Sequence, residues 1–184
     1  MEKQQTCWGA LPAWYFFLAA MGAMMMVLAV LADFGGYAVI GGTNGLVGIM
    51  ACVLSGAGSL LLMSELTHKE RAMLVNARPF SVVMSFGSLV QCFYIPLVFL
   101  YASCFFSAVP WYGIVGIKTV LAVFVVLLAL LYTAYPAIEL GEAKGRSFWN
   151  GGGLLALFLT SGLVTGAAAL FLLLVATGES ESSY

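Results

Sequence analysis

The sequence predicts an all-α protein, a polytopic bundle of about five transmembrane helices forming a single integral membrane domain over residues 1–184. Three observations predict it. Hydrophobic residues make up 62% of the chain and charged residues only 8%, where a soluble domain spends about a quarter of its residues on charge. Mean hydropathy is +1.04. Five stretches reach the about 20 apolar residues that a helix needs to cross about 30 Å of hydrocarbon. This composition excludes a soluble globular enzyme and a disordered chain. A net charge of −1 excludes the basic field of a nucleic-acid binder, so no nucleic-acid partner is expected.

The predicted spans are 11–32, 45–65, 81–109, 111–135 and 151–177. The first has an apolar core too long for a cleaved signal peptide and is preceded by little basic charge beyond Lys3. Gly35, Gly36, Gly41, Gly42 and Asn44 break the chain after span one. Pro110 separates spans three and four so closely that they must form an antiparallel hairpin. Pro136 and the Gly151-Gly152-Gly153 run are expected to bracket the last connection.

Orientation follows from the basic residues. Lys3, Lys69, Arg71, Arg78, Lys144 and Arg146 all fall on the side of the N-terminus, leaving only Lys118 opposite. The N-terminus is therefore expected in the cytoplasm and the C-terminus outside.

Small residues mark the helix seams, because association in lipid relies on close packing and interhelical hydrogen bonds. They are Ala19, Ala20, Gly22 and Ala23 in span one, Ser55 to Ser59 in span two, and Gly162 and Gly166 in span five. Met24, Met25 and Met26 point about 100° apart around a helix and cannot converge on a metal ion, so they fill the bundle or touch lipid. Cys7, Cys52, Cys92 and Cys104 show no CxxC spacing, and no metal centre is expected in this chain.

Ionisable groups in or near a span are costly, and each is a functional candidate. Counted from Trp111, Lys118 lies about two turns into span four; it either snorkels to the headgroups or contacts a polar group such as a quinone carbonyl. Gln91 and Tyr94 precede Pro96 in span three, where a kink would leave a locally polar wall for a planar ring, or Gln91 would bond between helices. Glu65, His68, Lys69, Glu70 and Arg71 form either a proton entry or a solvated turn. No acidic residue is expected deep in a span. His68 is the only histidine, which excludes a bis-histidine haem within this chain.

Several stretches together resemble the NrfD/PsrC family, the membrane subunits of polysulfide, nitrite and related molybdopterin oxidoreductases. They are Trp14-Tyr15-Phe16-Phe17-Leu18-Ala19-Ala20-Met21-Gly22-Ala23, then Ser55-Gly56 through Leu60-Leu61-Leu62 to Glu65-Leu66. Next come Arg71 and Arg78-Pro79-Phe80-Ser81-Val82-Val83-Met84-Ser85-Phe86-Gly87. Last are Arg146-Ser147-Phe148-Trp149-Asn150, Leu157-Phe158-Leu159, Ser161-Gly162 and Thr165-Gly166. They occur in the family's order and cover nearly all of the chain. Family members have eight spans, of which these resemble the first five.

The resemblance implies a haem-free anchor, in the prokaryotic inner membrane, for a ferredoxin-like iron–sulfur subunit. That subunit would exchange electrons with menaquinone or another quinone bound between the helices. A molybdopterin or tungstopterin catalytic subunit would be a further partner, with membrane lipid around the anchor. Docking of the iron–sulfur subunit outside would favour Lys118, Tyr112, Trp111 and Asp33 as quinone-binding residues; docking in the cytoplasm would give weight to a proton path at Glu65, His68 and Asn150. The competing readings are a small transporter, which would call for intramembrane acids or an internal repeat, and a ligand-free assembly subunit.

Overall fold

The computed structural model describes residues 10–36, 44–65, 83–141 and 153–178, and for Glu65, Val83 and Met84 the backbone alone. Five helices account for almost all of them: α1 (Ala10–Phe34), α2 (Asn44–Glu65), α3 (Val83–Ser103), α4 (Val115–Gly141) and α5 (Gly153–Ala176). Each is long and apolar enough to cross a membrane. With no water to satisfy N–H and C=O groups inside the hydrocarbon, a helix that closes its own hydrogen bonds is the economical solution for such a sequence. The protein is an all-α, multi-pass membrane protein.

Helices α1 to α4 form an antiparallel ring in which each packs on the next and α4 closes back on α1. Helix α5 lies outside the ring against α1 and α4, parallel to α1. Helix α1 is thus central, touching α2, α4 and α5, and this explains its methionines. Met24, Met25 and Met26 point in different directions and yet all are buried, because α1 has neighbours on three sides.

The seams are where the small residues stand. A Cβ on Gly22 would lie 3.1 Å from the Ala51 carbonyl oxygen and 3.2 Å from Ser55 Oγ. One on Gly58 would meet the Tyr15 ring at 3.2 Å. Gly162 and Gly166 do the same for α5 against Ala20, Met24 and Met25. The other face of α5, with Val164, Phe171 and Leu172, is exposed and suited to lipid.

Three boundaries differ from the predicted spans. Helix α3 ends at Ser103 rather than 109, and residues 104–113 form successive turns with hydrogen bonds such as Phe106 N–H to the Ser103 carbonyl and Tyr112 N–H to the Val109 carbonyl. Gly113, at φ 75°, adopts the left-handed conformation that lets the chain leave those turns, so α4 starts at Val115 rather than Trp111. Pro136 does not end span four: α4 runs through it to Gly141. Proline deprives the Tyr132 carbonyl of its usual partner but does not stop a helix held by neighbours in a bundle. The basic residues of the orientation argument on the N-terminal side, Lys3, Lys69, Arg71, Arg78, Lys144 and Arg146, lie outside the described residues.

The seams make packing predictions. In Gly166→Ala, the new methyl group meets the Met25 backbone nitrogen at 2.6 Å, and we expect a loss of about 1–3 kcal/mol in a denaturation titration in detergent. Gly56→Ala, where a Cβ meets nothing within 4 Å, should leave the midpoint unchanged.

Candidate functional site

Polar side chains inside the bundle gather in two clusters near opposite ends. Tyr15 and Asp33, one in each cluster, are separated by 18 residues of α1, about 27 Å and close to the thickness of the hydrocarbon.

The cluster at the end of the bundle away from the start of α1, called outer for that distance, is built on an ion pair. Lys118 Nζ stands 2.9 Å from Asp33 Oδ2, with the two side chains 30% and 12% exposed. Asp33 is the penultimate residue of α1, which closes through a left-handed Gly36 (φ 76°). Lys118 is in the first turn of α4, one turn rather than two from the helix start, because the helix begins at Val115. Tyr101 Oη donates to the same Asp33 oxygen at 3.5 Å. The Lys118 ammonium also lies 5.4 Å from the centre of the Phe105 ring, which packs edge-on against Tyr101. Cys104 lies in the same surroundings: burial pushes its thiol up, and the Lys118 charge draws it part of the way back. The lysine is therefore held by a carboxylate and an aromatic face.

The structure brings Asp33 and Lys118 together, while Trp111 and Tyr112 occupy the α3–α4 turns beside them. Trp111 Nε1 donates to Ser103 Oγ at 2.9 Å and ties those turns to the end of α3. Tyr112 is 54% exposed. Of the other predicted residues, Glu65 ends α2 and is described by its backbone alone; His68 and Asn150 lie outside the described residues. Among the described residues no group of three or more His, Cys, Asp or Glu side chains converges.

The inner cluster joins the four helices of the ring. Tyr15 Oη of α1 donates to Gln91 Oε1 of α3 at 3.4 Å and shares a 2.8 Å hydrogen bond with Tyr135 Oη of α4. Gln91 Nε2 donates to Ser59 Oγ of α2, which in turn donates to the Ser55 carbonyl. Gly87 supplies the space: the Tyr135 ring lies where its Cβ would be. Towards the middle of the membrane, Tyr132 stacks on Tyr135 with ring centres 6.3 Å apart, and Tyr94 stacks on Tyr132 at 5.2 Å. All four tyrosines are buried. Of the two readings open for Gln91, the structure shows the bond between helices.

Reading the sequence alone missed most of this. Tyr101 and Phe105 lie in a stretch that reads only as apolar span, although Gln91, Tyr94 and Tyr101 follow helical spacing on one face of α3. Tyr132, Tyr135 and Glu139 likewise share a face of α4, but Pro136 was expected to end that span. Glu139 therefore lies in the last turn of a spanning helix, two residues before its end at Gly141 and not deep in the span. A third feature, an open apolar groove of about 270 Å³ between α1 and α5, is lined by residues such as Phe16, Phe17 and Phe158 and carries no charge.

The family model described as "Polysulphide reductase, NrfD" matches residues 1–184. No curated protein and no solved structure matches the chain. The inner cluster's contribution to stability is measurable without knowing its ligand. We expect Tyr135→Phe to lower the unfolding free energy in detergent by about 1 kcal/mol, the usual value of an interhelical hydrogen bond. Gln91→Leu should cost more, since it removes the bonds to both Tyr15 and Ser59.

Proposed function

This chain belongs to the NrfD family of polysulphide reductase membrane subunits, and we propose that it is the haem-free anchor and quinone-interacting subunit of an anaerobic respiratory iron–sulfur/molybdopterin oxidoreductase. In this reading it lies in the inner membrane with its N-terminus in the cytoplasm, and passes electrons between the quinone pool and a ferredoxin-like iron–sulfur partner. A molybdopterin or tungstopterin subunit completes the assembly.

The observation that carries the reading is the Asp33–Lys118 pair with Tyr101 and Phe105 at one end of an otherwise apolar bundle. A quinone, menaquinone or another, supplies two-electron, two-proton chemistry and remains in the bilayer through its tail. Its head group needs a hydrogen-bond donor at a carbonyl and an acceptor for a hydroxyl proton. Lys118 is such a donor and Asp33 such an acceptor. Tyr101 holds the carboxylate in place, and Phe105 holds the ammonium over its face while offering a flat apolar wall. Tyr112 and Trp111, in the adjoining turns, are the remaining candidates for contact. The iron–sulfur partner would dock on this outer face, where the pair opens. Glu65, His68 and Asn150 are the proton-path candidates at the other face.

The test is Lys118→Met in the assembled complex, followed by quinol-dependent reduction of the iron–sulfur partner. Loss of a charged hydrogen bond to the head group predicts a fall in kcat/KM of about 10- to 100-fold. Unchanged turnover would remove Lys118 from the site. Asp33→Asn, which keeps the shape of the partner but not its charge, should affect turnover more than assembly.

A further inference from the structure

The inner cluster contains more polar groups than its hydrogen bonds use. Among the described residues, Tyr94 Oη, Tyr132 Oη and Ser55 Oγ are fully buried and make no hydrogen bond of good geometry, although Tyr15 and Ser59 stand near Tyr132 Oη. Pro136 has no N–H to offer the Tyr132 carbonyl one turn before it, which adds an acceptor in the same region. Buried polar groups in apolar surroundings are satisfied by water when protein groups do not reach them. Below them, one helical turn beyond Tyr135 on the same face of α4, is Glu139. It is half-buried, and among the described residues no cation pairs with it.

The geometry points to a water-lined proton path that starts at Glu139, near the C-terminal end of α4, and runs through Tyr135 and Tyr15 to Tyr132 and Tyr94. The bonds already have a direction. Because Tyr15 donates to Gln91, Tyr135 must donate to Tyr15, which leaves the Tyr135 oxygen to accept from the side of Glu139. A proton given by the Glu139 carboxyl, through water, binds the Tyr135 oxygen as Tyr135 passes its own proton to Tyr15. Tyr15, its hydroxyl turned away from Gln91, passes its proton on to water at Tyr132. Each hydroxyl takes one proton and gives one up, so a single proton moves and no electron does. Gln91 and Ser59 are positioning residues that hold Tyr15. Seven residues beyond Tyr94 on the same face of α3, about 10 Å, stands Tyr101, bonded to Asp33. The path therefore leads toward the outer ion pair.

Its use in quinone chemistry rests on the proposed function; its existence does not. One experiment addresses existence: infrared difference spectra of the full chain in lipid nanodiscs during an acid–base titration. A protonated carboxyl stretch should appear, shift in D2O, vanish in Glu139→Gln and change frequency in Tyr135→Phe. A Glu139 band indifferent to Tyr135→Phe, or one that does not exchange with D2O, overturns the path.

A second experiment addresses use, with the assembled complex in liposomes. Glu139→Gln should slow proton uptake from the N-terminal face by about tenfold or more, the scale of a lost acid–base group, with the quinol KM unchanged and recovery in Glu139→Asp. Unchanged uptake overturns the path's role. If even the wild-type complex shows no quinone-dependent turnover, the quinone reading fails, and the infrared result still decides the path.

Discussion

The arrangement depends on one chain of hydrogen bonds that runs from Tyr135 to Tyr15, Gln91, Ser59 and the Ser55 carbonyl, crossing four helices in turn. In water such bonds would compete with solvent and contribute little. In a bilayer the apolar surfaces gain little by leaving lipid for one another, so a polar chain that finds its partners only when four helices are in register carries information that hydrophobic burial lacks. Gly22 and Gly58 then let the backbones approach closely, and Gly87 leaves room for the Tyr135 ring, so that those partners meet. Helix α5, outside the ring, is held differently, by Gly162 and Gly166 fitting against α1.

The two polar clusters divide the bundle by depth. The outer one is a charged pair with aromatic support, accessible at the turns between α3 and α4. The inner one is neutral apart from Glu139, with its tyrosines buried among the helices. Between them Val98 and the stacked Tyr94 and Tyr132 rings fill the core. A carrier confined to the membrane has polar chemistry to meet at the outer end, whereas the inner hydroxyls suit the movement of something as small as a proton. Apart from Phe105 and Cys104 in the α3–α4 turns, both clusters lie on helices, so their geometry is set chiefly by the packing that stabilises the fold.

Much of the fold was legible in the chain. Five apolar stretches of membrane length, small residues at seam positions and a hairpin at Pro110 depend on composition and local spacing, and each corresponds to something observed. The ends of the spans were less legible. Whether Pro136 stops a helix is decided by what surrounds it: in isolation a proline breaks a helix, while between packed neighbours the helix continues and carries Glu139 into the span. For the same reason Tyr101 and Phe105 gave no local sign of importance, since their role comes from Asp33 and Lys118 on other helices.

The sequence by itself determined that this chain lives in a membrane as a helical bundle, because the cost of exposing backbone and apolar side chains is set residue by residue. It also marked Asp33 and Lys118 as candidates, since charge is costly wherever it sits in lipid, but left Glu139 outside that set. Only the tertiary structure decided who meets whom: that Lys118 faces Asp33, that Gln91 bonds Tyr15 and Ser59, and that Tyr135 stands between Tyr15 and Glu139. Those pairings join residues up to 120 positions apart, Tyr15 with Tyr135 being the longest. They follow from helix order and rotation, which no local pattern in the chain specifies.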